Sequence, residues 1–409
     1  MKLAEVFARA IGRDAPLEFR AFDGSTAGDP GAPARIVVRS PLAMSHLASA
    51  PGELGLARAY VSGSLDIDGD MYAALASMSS ATLEGVPAKV RLEIAARLGA
   101  YRLWWPTRRP AAESRLRGRR HSKARDQEAI TYHYDVSNRF YSWILGPSMA
   151  YTCAVYPEAD SSLEEAQWTK HDLVARKLGL RPEMRLLDVG CGWGGMVIHA
   201  ARHYGVRALG VTLSRKQAEW GQKAIAEAGL SELAEIRHLD YRDVRESGFD
   251  AVSSIGLTEH IGKARLGEYF RFLHDKLRPG GRLLNHCITR SDNAQPAKVG
   301  GFLNRYVFPD GELESPGHLV SAMHDNGLEV RHEENLREHY SRTLTEWCAN
   351  LDAHWPEAVR EVGLDRARVW RLYMAGSRLG FERNNVQLHQ ILGVRLDGAD
   401  ARMPLRPDW

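Results

Sequence analysis

The sequence contains little cysteine and no long apolar run. Its 409 residues include four cysteines, none of them in a C-x-x-C pair, so neither a disulfide framework nor the usual zinc motif is expected. The chain has no stretch of 18 uncharged apolar residues and no apolar signal-peptide block in residues 1–7, so neither a membrane-spanning helix nor a secretory signal is expected. These absences predict a reduced, cytoplasmic protein with no metal centre.

An excess of one charge is also absent, except in one segment. The formal net charge is +3, but residues 97–125 carry ten Lys or Arg and a single acid, Glu113. Trp104 and Trp105 lie in the same segment. Tryptophan beside basic residues is typical of contact with an anionic membrane surface, and a solvated basic linker would have the same composition. Because the basic residues are confined to this segment, nucleic acid is not expected as a partner.

Strand and helix patterns predict two domains on either side of this basic linker. Residues 1–96 mix short strands with helices, which predicts a small α+β domain. Residues 126–409 predict an α/β catalytic domain with a doubly wound, mostly parallel sheet, because strands alternate with helices there. The predicted strands are 185–189, 207–211, 234–238, 249–254 and 281–287.

Three further features are predicted in the catalytic domain. Residues 127–145 predict a helical lead-in to the first strand. Residues 277–284 predict a helix end, then a Pro/Gly turn and a strand. Residues 293–346 are too long for a plain loop, so we expect a lid-like insertion over the sheet edge.

A glycine-rich turn follows the first strand of the catalytic domain. Residues 186–195 read LLDVGCGWGG, an apolar strand followed by a turn whose glycines let the backbone approach a ligand closely. Gly190, Gly192 and Gly195 also satisfy the G-x-G-x-x-G pattern of dinucleotide folds. Those folds place an acid about 20 residues later to hold the ribose hydroxyls, whereas the next strand here is followed by Thr-Leu-Ser. The turn therefore favours another nucleotide-type cofactor.

S-adenosylmethionine (AdoMet) suits the residues around this turn better. Asp188 is suited to the cationic methionine end of AdoMet, and Thr212 and Gln217 can hydrogen-bond the ribose. The surrounding β-α-β pattern argues against a turn that binds no ligand. We therefore expect an AdoMet site at the carboxyl ends of the strands, where open α/β sheets bind ligands.

Six short motifs occur in order along the chain. They are Tyr151-Thr152-Cys153, Gly210-Val211-Thr212-Leu213-Ser214-x-x-Gln217, Asp240-Tyr241-Arg242-Asp243, Glu259-His260-Ile261-Gly262, His286-Cys287-Ile288 and Tyr340-x-x-Thr343-Leu344-x-x-Trp347. Together they resemble the cyclopropane-fatty-acyl-phospholipid synthase family, which includes the mycolic acid cyclopropane synthases, over about residues 126–390. The resemblance implies a Rossmann-like class I methyltransferase that uses AdoMet to methylate a cis double bond in a lipid acyl chain.

The resemblance also implies a bound bicarbonate ion that serves as the base. Its ligands would be Cys153, Glu259, His286, Ile288 and Tyr340, with backbone groups contributed by the Cys and the Ile. The chemistry agrees, because methyl transfer to an alkene leaves a carbocation that must lose a proton and be kept from water. A small anion held by His, Tyr and backbone N–H groups meets both needs. A covalent role for Cys153 is not expected, since the alkene is itself the nucleophile.

A second set of residues is assigned to AdoMet. The methionine end is assigned to Asp188, Gly190 and Gly192, the ribose to Thr212 and Gln217, the adenine to Asp240, Tyr241 and Arg242, and the carboxylate side to Tyr151 and Thr152. Gly194 and Leu213 are assigned to the cofactor without a particular part of it. Three aromatic residues could stabilise the cation through their ring faces or could simply pack in the core. They are Tyr134, Tyr156 and Phe302.

Two segments of the first domain resemble one branch of the family more narrowly. Residues 22–28 and 51–63 look like the actinobacterial enzymes of branched-chain lipid synthesis, which include the tuberculostearic (10-methylstearic) acid methyltransferases. That resemblance implies a hydride shift and a 10-methylene product, which a separate flavin- or nicotinamide-dependent reductase would saturate. Cyclopropane ring closure shares the first step and needs the same base. The methylene product is favoured, and the ring remains the alternative.

The same resemblance sets the expected partners. The first domain would present acyl chains of a phospholipid, with the protein bound peripherally to the inner face of the plasma membrane. A homodimer is expected on family resemblance alone. Two other functions stay open: a methyltransferase for a soluble acceptor, and a lipid-binding protein without catalysis. An intact set of base ligands argues against the second of these.

Overall fold

The chain forms two compact units, neither of which is one continuous segment. The computed structural model describes residues 2–12, 15–50, 52–79, 96, 100, 107, 109–114, 122–123, 125–128, 137–296 and 298–409. The first unit comprises Met1–Arg115, Gly300–Val307 and Leu351–Leu379, and the second comprises Leu116–Val299, Phe308–Asn350 and Gly380–Trp409. This differs from the predicted division into 1–96, 97–125 and 126–409, because two later segments fold with the N-terminal part.

The strands and helices are numbered here in chain order. The strands are β1 (Leu17–Ala21), β2 (Thr26–Gly28), β3 (Ala34–Val38), β4 (Leu65–Gly69), β5 (Arg185–Val189), β6 (Arg207–Thr212), β7 (Ala234–His238), β8 (Phe249–Ile255), β9 (Leu277–Arg290), β10 (Leu328–Asn335) and β11 (Val386–Arg395). The helices are α1 (Leu3–Ile11), α2 (Pro41–Ser49), α3 (Glu53–Val61), α4 (Met71–Ser79), α5 (Asn138–Leu145), α6 (Leu163–Leu178), α7 (Gly195–Tyr204), α8 (Arg215–Glu227), α9 (Leu266–Lys276), α10 (Gly301–Tyr306), α11 (Pro316–Asp325), α12 (Arg337–Ala353), α13 (Trp355–Val362) and α14 (Leu364–Glu382). Short 3-10 helices occupy Tyr241–Asp243, Thr258–His260 and Lys263–Arg265.

The first unit contains a four-stranded sheet in the order β2-β1-β3-β4. Strands β1 and β3 are parallel, and the other two pairs are antiparallel. In β3 the buried and partly buried positions alternate, as expected for a strand with one face on the core. A buried ion pair joins Glu113 to Arg58, whose Nη2 and Nε donate to the carboxylate at 2.9 and 3.0 Å. The single acid of the basic segment is therefore held within this unit, to which the chain up to Arg115 belongs.

The second unit is built on a seven-stranded sheet in the order β10-β11-β9-β8-β5-β6-β7. The pairs from β9 to β7 are parallel, while β11 and β10 are antiparallel to their neighbours. Alternate residues of β9 supply the two cores: Leu284 packs with α6 and α7, and Leu283 packs with α9. The predicted α/β class with a mostly parallel sheet is confirmed.

Helix α6 illustrates how local sequence sets the ends of these elements. Ser162 caps its first turn by accepting a hydrogen bond from the Glu165 N–H, and the Glu165 side chain accepts one from the Ser162 N–H in return. The helix ends at Gly179, which has a left-handed conformation with φ of 67°. A capping box and a terminal glycine are the usual signals for a helix of this length.

Two predictions for the second unit differ from the structure. Strand β9 begins at Leu277, directly after α9, so the predicted Pro/Gly turn is part of the strand, where Gly280 has a φ of 75° and the pairing register shifts. The predicted lid-like insertion at 293–346 contains α11 and the edge strand β10, which pairs with β11. The sequence does not show the apolar pattern of a strand at β10. Only its first residue is buried, and half of its residues are charged.

The predicted lead-in helix is present in its second half as α5, and residues 129–136 lie outside the described part of the chain. Trp104, Trp105 and most of the arginines of the basic segment also lie outside it. Among the helices that the structure does describe, none combines the length and the apolar character needed to span a membrane.

Candidate active site

The glycine-rich turn joins β5 to α7 and brings the backbone into a left-handed path. Gly190, Gly192 and Gly194 have φ values of 73, 55 and 87°. A Cβ on Gly194 would lie 2.3 Å from Cδ1 of Ile236, whereas a Cβ on Gly192 would have no atom within 4 Å. Gly194 is therefore required by packing, and Gly192 leaves open space where a ligand can approach.

A cavity lies beside this turn, at the carboxyl ends of β5, β6 and β8. Ten residues predicted for the cofactor line it: Tyr151, Thr152, Asp188, Gly190, Gly192, Thr212, Leu213, Gln217, Tyr241 and Arg242. Two predicted residues, Gly194 and Asp240, are not among the lining residues. Asp240 instead accepts hydrogen bonds from Nε and Nη2 of Arg242 at 2.8 and 2.6 Å. It therefore holds the arginine that reaches the cavity.

Hydrogen bonds within the cavity wall fix several of these side chains. Asp188 is buried and accepts a hydrogen bond of 2.6 Å from Oγ of Ser253. Burial raises the pKa of Asp188 to about 7. Thr212 Oγ1 donates to Gln217 Oε1 at 2.8 Å, which joins two residues predicted for the ribose. The wall therefore offers carboxylate, hydroxyl and amide groups to a polar cofactor.

Lys170 is a cavity residue that none of the six motifs contains. Its side chain is buried, and Nζ lies 2.9 Å from both Thr152 Oγ1 and His171 Nε2. Burial lowers the pKa of Lys170 to about 7, opposed by the nearby Cys153 and Asp188. The sequence contained one signal for this residue: Gln167, Lys170 and His171 are polar residues at helical spacing on the face of α6 that is buried. Buried lysines are rare unless paired.

The predicted base ligands Glu259, His286 and Ile288 lie around the ends of β8 and β9. Glu259 is in the 3-10 helix after β8, and its Oε1 accepts the Ile288 N–H at 2.7 Å. His286 and Ile288 are two residues apart on β9 and so share one face. The prediction gave the Ile288 amide to bicarbonate directly, whereas here it donates to the Glu259 carboxylate.

Two buried atoms of these ligands lack a hydrogen-bond partner within the described residues. They are Oε2 of Glu259 and Nε2 of His286. Burial raises the pKa of Glu259 to about 7 and lowers the pKa of His286 well below its usual range, so the imidazole is neutral. Buried polar groups are normally paired. A small anion with hydrogen-bonding oxygens therefore suits the donor and acceptor set present here.

Cys153 and Tyr340 meet at the carbonyl of Leu336. That oxygen accepts the Tyr340 N–H at 3.1 Å and lies 3.7 Å from Cys153 Sγ. Burial raises the pKa of the Cys153 thiol well above its usual range, so the sulfur is a neutral thiol. The Tyr340 ring packs 4.5 Å from Phe381 and 6.0 Å from Trp347, between centroids. Tyr340 is therefore packed among aromatic rings.

The three aromatic candidates for cation stabilisation are placed differently. The ring of Tyr156 already has the Arg342 guanidinium 4.0 Å above its centroid. Phe302 lies in α10 of the first unit, where it packs against Tyr306. Tyr134 is outside the described residues. A role in stabilising a cation therefore has no support from Tyr156 or Phe302.

Known proteins match the chain over the site and beyond it. A family model described as mycolic acid cyclopropane synthetase matches residues 121–391. A Mycobacterium tuberculosis protein named probable fatty acid methyltransferase is 55% identical over 406 residues, which is 96% of this chain and 95% of that protein. A probable fatty acid methyltransferase of Pseudomonas putida is 38% identical over 385 residues, 93% of this chain and 92% of that protein.

A solved structure is similar to about two thirds of the chain. The mycolic acid cyclopropane synthase CmaA1, crystallised with SAH and CTAB, is 31% identical and has a TM-score of 0.62. The match covers 65% of this chain and 97% of that one. The range matched by the family model contains every residue assigned above to the cavity and to the base ligands.

Proposed function

The chain belongs to the mycolic acid cyclopropane synthetase family, and from this we propose that it methylates a cis double bond in a phospholipid-bound unsaturated fatty acyl chain. It is an AdoMet-dependent methyltransferase, as its sequence motifs predicted. The lipid substrate is proposed from the names of its relatives, two of which are called probable fatty acid methyltransferases.

The observation that carries this proposal is the position of two unpartnered polar atoms beside the AdoMet cavity. Ile255 and Gly256 line the cavity. Ile255 is the strand-pairing partner of His286 in the sheet, and the Gly256 N–H donates a hydrogen bond of 2.8 Å to the His286 carbonyl. Glu259 follows three residues later. An amine or hydroxyl acceptor loses its proton from nitrogen or oxygen, whereas methylation of an alkene requires a proton to be removed from carbon, which makes a base beside the cofactor indispensable.

We assign the base to a bicarbonate ion held by His286, Glu259 and Tyr340, and when bound this ion would supply a proton acceptor. His286 is neutral and offers an N–H rather than a positive charge. Glu259, with a pKa of about 7, is present near neutral pH in both the acid and the carboxylate form and so can donate or accept. The packed rings of Tyr340, Trp347 and Phe381 would help to keep water from the carbocation.

The methylene product is proposed over the cyclopropane ring. The M. tuberculosis relative named as a fatty acid methyltransferase matches 96% of this chain, including the N-terminal segments 22–28 and 51–63 that resemble the branched-lipid enzymes. The cyclopropane synthase structure matches 65%. A 10-methylene acyl chain would make this enzyme the first step of tuberculostearic acid synthesis and would require a reductase afterwards. The cyclopropane ring is the alternative product.

The test is to incubate the purified protein with labelled AdoMet and oleoyl-phospholipid vesicles and to identify the released fatty acids by mass spectrometry. We expect a methylene-branched acid with one carbon more than oleic acid, identified by its fragmentation because the cyclopropane acid is an isomer of equal mass. A cyclopropane acid would replace the methylene proposal with the alternative. Labelling of soluble acceptors alone would contradict the lipid substrate, and AdoMet binding without any transfer would contradict catalysis.

Bicarbonate can be tested separately in the same assay. In buffer depleted of carbon dioxide we expect the rate of methylation to fall and to recover when bicarbonate is added back. Chloride at equal ionic strength is the control. A rate that does not depend on bicarbonate would assign the base to a protein side chain, with Glu259, whose Oε2 has no partner within the described residues, as the candidate.

We also propose that the enzyme binds peripherally to the inner face of the plasma membrane through its basic segment. Reversing the charges of Arg115, Arg117, Arg119 and Arg120 should weaken sedimentation with anionic vesicles, most strongly at low salt. The matched control reverses four exposed charges of the second unit: Arg181, Arg202, Arg207 and Lys216. Equal loss in both variants would contradict a specific contact between the basic segment and the membrane.

Sedimentation equilibrium of the native protein would test the expected homodimer.

A further inference from the structure

Three neighbouring strands place Glu334, Gln390 and His286 in one row across the sheet. Glu334 of β10 opposes Gln390 of β11, and Gln390 opposes His286 of β9. Directly opposed residues have their side chains on the same face of a sheet. Lys177, near the end of α6, reaches that face with a side chain that is 0% exposed.

A chain of hydrogen bonds runs along this row. Lys177 Nζ donates to Gln390 Oε1 at 2.7 Å and also forms an ion pair with the carboxylate of Glu334. On the other side of the amide, Gln390 Nε2 lies 3.2 Å from His286 Nδ1. Gln390 and His286 are both buried. The row therefore leads from a partly exposed carboxylate at the sheet edge to a predicted base ligand.

The donors and acceptors of this chain permit one arrangement. The ammonium group of Lys177 has only donors, so it must face the amide oxygen of Gln390. The amide nitrogen must then face His286, and because it too is only a donor, Nδ1 must accept. A neutral imidazole that accepts at Nδ1 carries its proton at Nε2. Nε2 is the atom without a partner among the described residues.

We propose that Lys177 and Gln390 are positioning residues that hold His286 as the Nε2–H tautomer, so that it donates a hydrogen bond to an oxygen of the bound anion. This makes His286 a donor in the reaction rather than the proton acceptor. The identity of that anion rests on the proposed function. The tautomer itself follows from the hydrogen-bond chain.

The charges around His286 explain why an amide holds it rather than a carboxylate. Lys170, His171 and Lys177, all on α6, act on it electrostatically, and the two lysines disfavour a second proton on the ring. The neutral ring therefore carries one proton, on either Nδ1 or Nε2. A carboxylate at position 390 would accept a hydrogen bond from Nδ1–H and so leave Nε2 without a proton. An amide nitrogen directs the proton to Nε2.

The test is Gln390→Glu, which preserves the size of the side chain and its bond to Lys177. At about pH 8 we expect turnover to fall by at least about tenfold, because the proton moves to Nδ1. Activity should return as the pH is lowered toward about 6, where protonation of the introduced carboxylate or of the ring restores Nε2–H. The wild-type enzyme should show no such recovery.

The matched control is Gln387→Glu on the same strand, where the native amide bonds Asn384 at the surface. It should retain the wild-type pH profile. If Gln390→Glu behaved like this control, the tautomer would not matter for turnover, and the proposal would be overturned.

A second measurement does not depend on activity. In protein labelled with nitrogen-15 at histidine, the His286 signals are identified by their loss in His286→Gln. We expect a pyridine-type shift for Nδ1 and a pyrrole-type shift for Nε2, with the two exchanged in Gln390→Glu. A proton on Nδ1 in the wild type would overturn the inference. If the protein made no methylated lipid, this spectrum would still determine the tautomer of His286. Failure of the proposed lipid methylation can therefore be distinguished from failure of the tautomer proposal.

Discussion

Oε1 of Glu259 accepts the backbone N–H of Ile288 at 2.7 Å, while its Oε2 has no partner within the described residues. One oxygen is thus fixed to the end of β9, and the carboxyl group is held in a defined orientation. Burial raises the pKa of Glu259 to about 7. The carboxyl group is therefore close to half protonated at neutral pH, which suits exchange of a proton with a ligand.

Glu259→Gln should abolish most of the activity and leave cofactor binding intact. We expect turnover to fall by at least about 100-fold, since an amide cannot exchange the proton. AdoMet affinity, measured by calorimetry, should change by less than about threefold. Glu268→Gln on the exposed face of α9 is the control and should behave as wild type. A parallel loss of AdoMet binding would show that Glu259 belongs to the cofactor site.

The same variant should change how stability depends on pH. The folded protein binds the Glu259 proton more tightly than the unfolded chain, because the pKa rises from 4.5 to about 7 on folding. Its contribution to stability therefore falls as pH rises through this range and is constant above it. Glu259→Gln should be more stable than wild type by about 1–3 kcal/mol at about pH 8, with no such gain at about pH 4. Urea unfolding at both pH values measures this, and a pH-independent difference would contradict it.

Lys170→Met should weaken AdoMet binding while keeping the buried aliphatic stem. The variant removes the ammonium group that lies beside Thr152, which is assigned to the carboxylate side of AdoMet. Because a hydrogen-bonding and charge partner is lost there, we expect the AdoMet Kd to rise about tenfold. The difference between the two proteins should shrink as pH rises above about 7, because Lys170 loses its proton there. Asp188 titrates in both proteins, at a higher pKa in Lys170→Met because the ammonium group lowers the pKa of Asp188, and this acts on the comparison in the same direction. Lys216→Met on the exposed face of α8 is the control, and equal affinities for wild type and Lys170→Met would exclude the role.

Gly192→Ala and Gly229→Ala separate backbone strain from ligand contact. Both glycines have positive φ, 55 and 68°, and a Cβ on either has no atom within 4 Å. Each alanine should therefore cost a similar ~1 kcal/mol of stability. Only Gly192→Ala should raise the AdoMet Kd, by about tenfold or more, because its methyl group points into the cavity that the cofactor would fill. Equal AdoMet affinity in the two variants would place the cofactor elsewhere.

Cys153→Ala should keep more than about half of the activity. The thiol is buried and neutral, and the prediction assigns this residue a backbone role, which alanine preserves. The loss of the buried sulfur should lower the free energy of unfolding by about 1 kcal/mol. Initial rates and urea unfolding measure the two effects. Complete inactivation of a folded Cys153→Ala protein would require a chemical role for the sulfur.

Local patterns in the sequence were sufficient for the elements that carry the cofactor site. The apolar strand before Gly190 and the alternation of strands and helices predicted β5 to β8 within a residue or two. Ten of the twelve predicted cofactor residues line one cavity. This worked because each signal is contained within a few neighbouring residues, and the carboxyl ends of parallel strands meet at one edge of the sheet.

The sequence by itself determined the α/β class, the glycine turn and the family. Only the tertiary structure decided that 300–307 and 351–379 fold with the N-terminal part, that β10 closes the sheet edge, and that the Ile288 amide holds Glu259. It also decided the row that joins Lys177 and Gln390 to His286. The physical reason is register: residues more than a hundred positions apart become neighbours through strand pairing, and no local pattern records which residues will face each other.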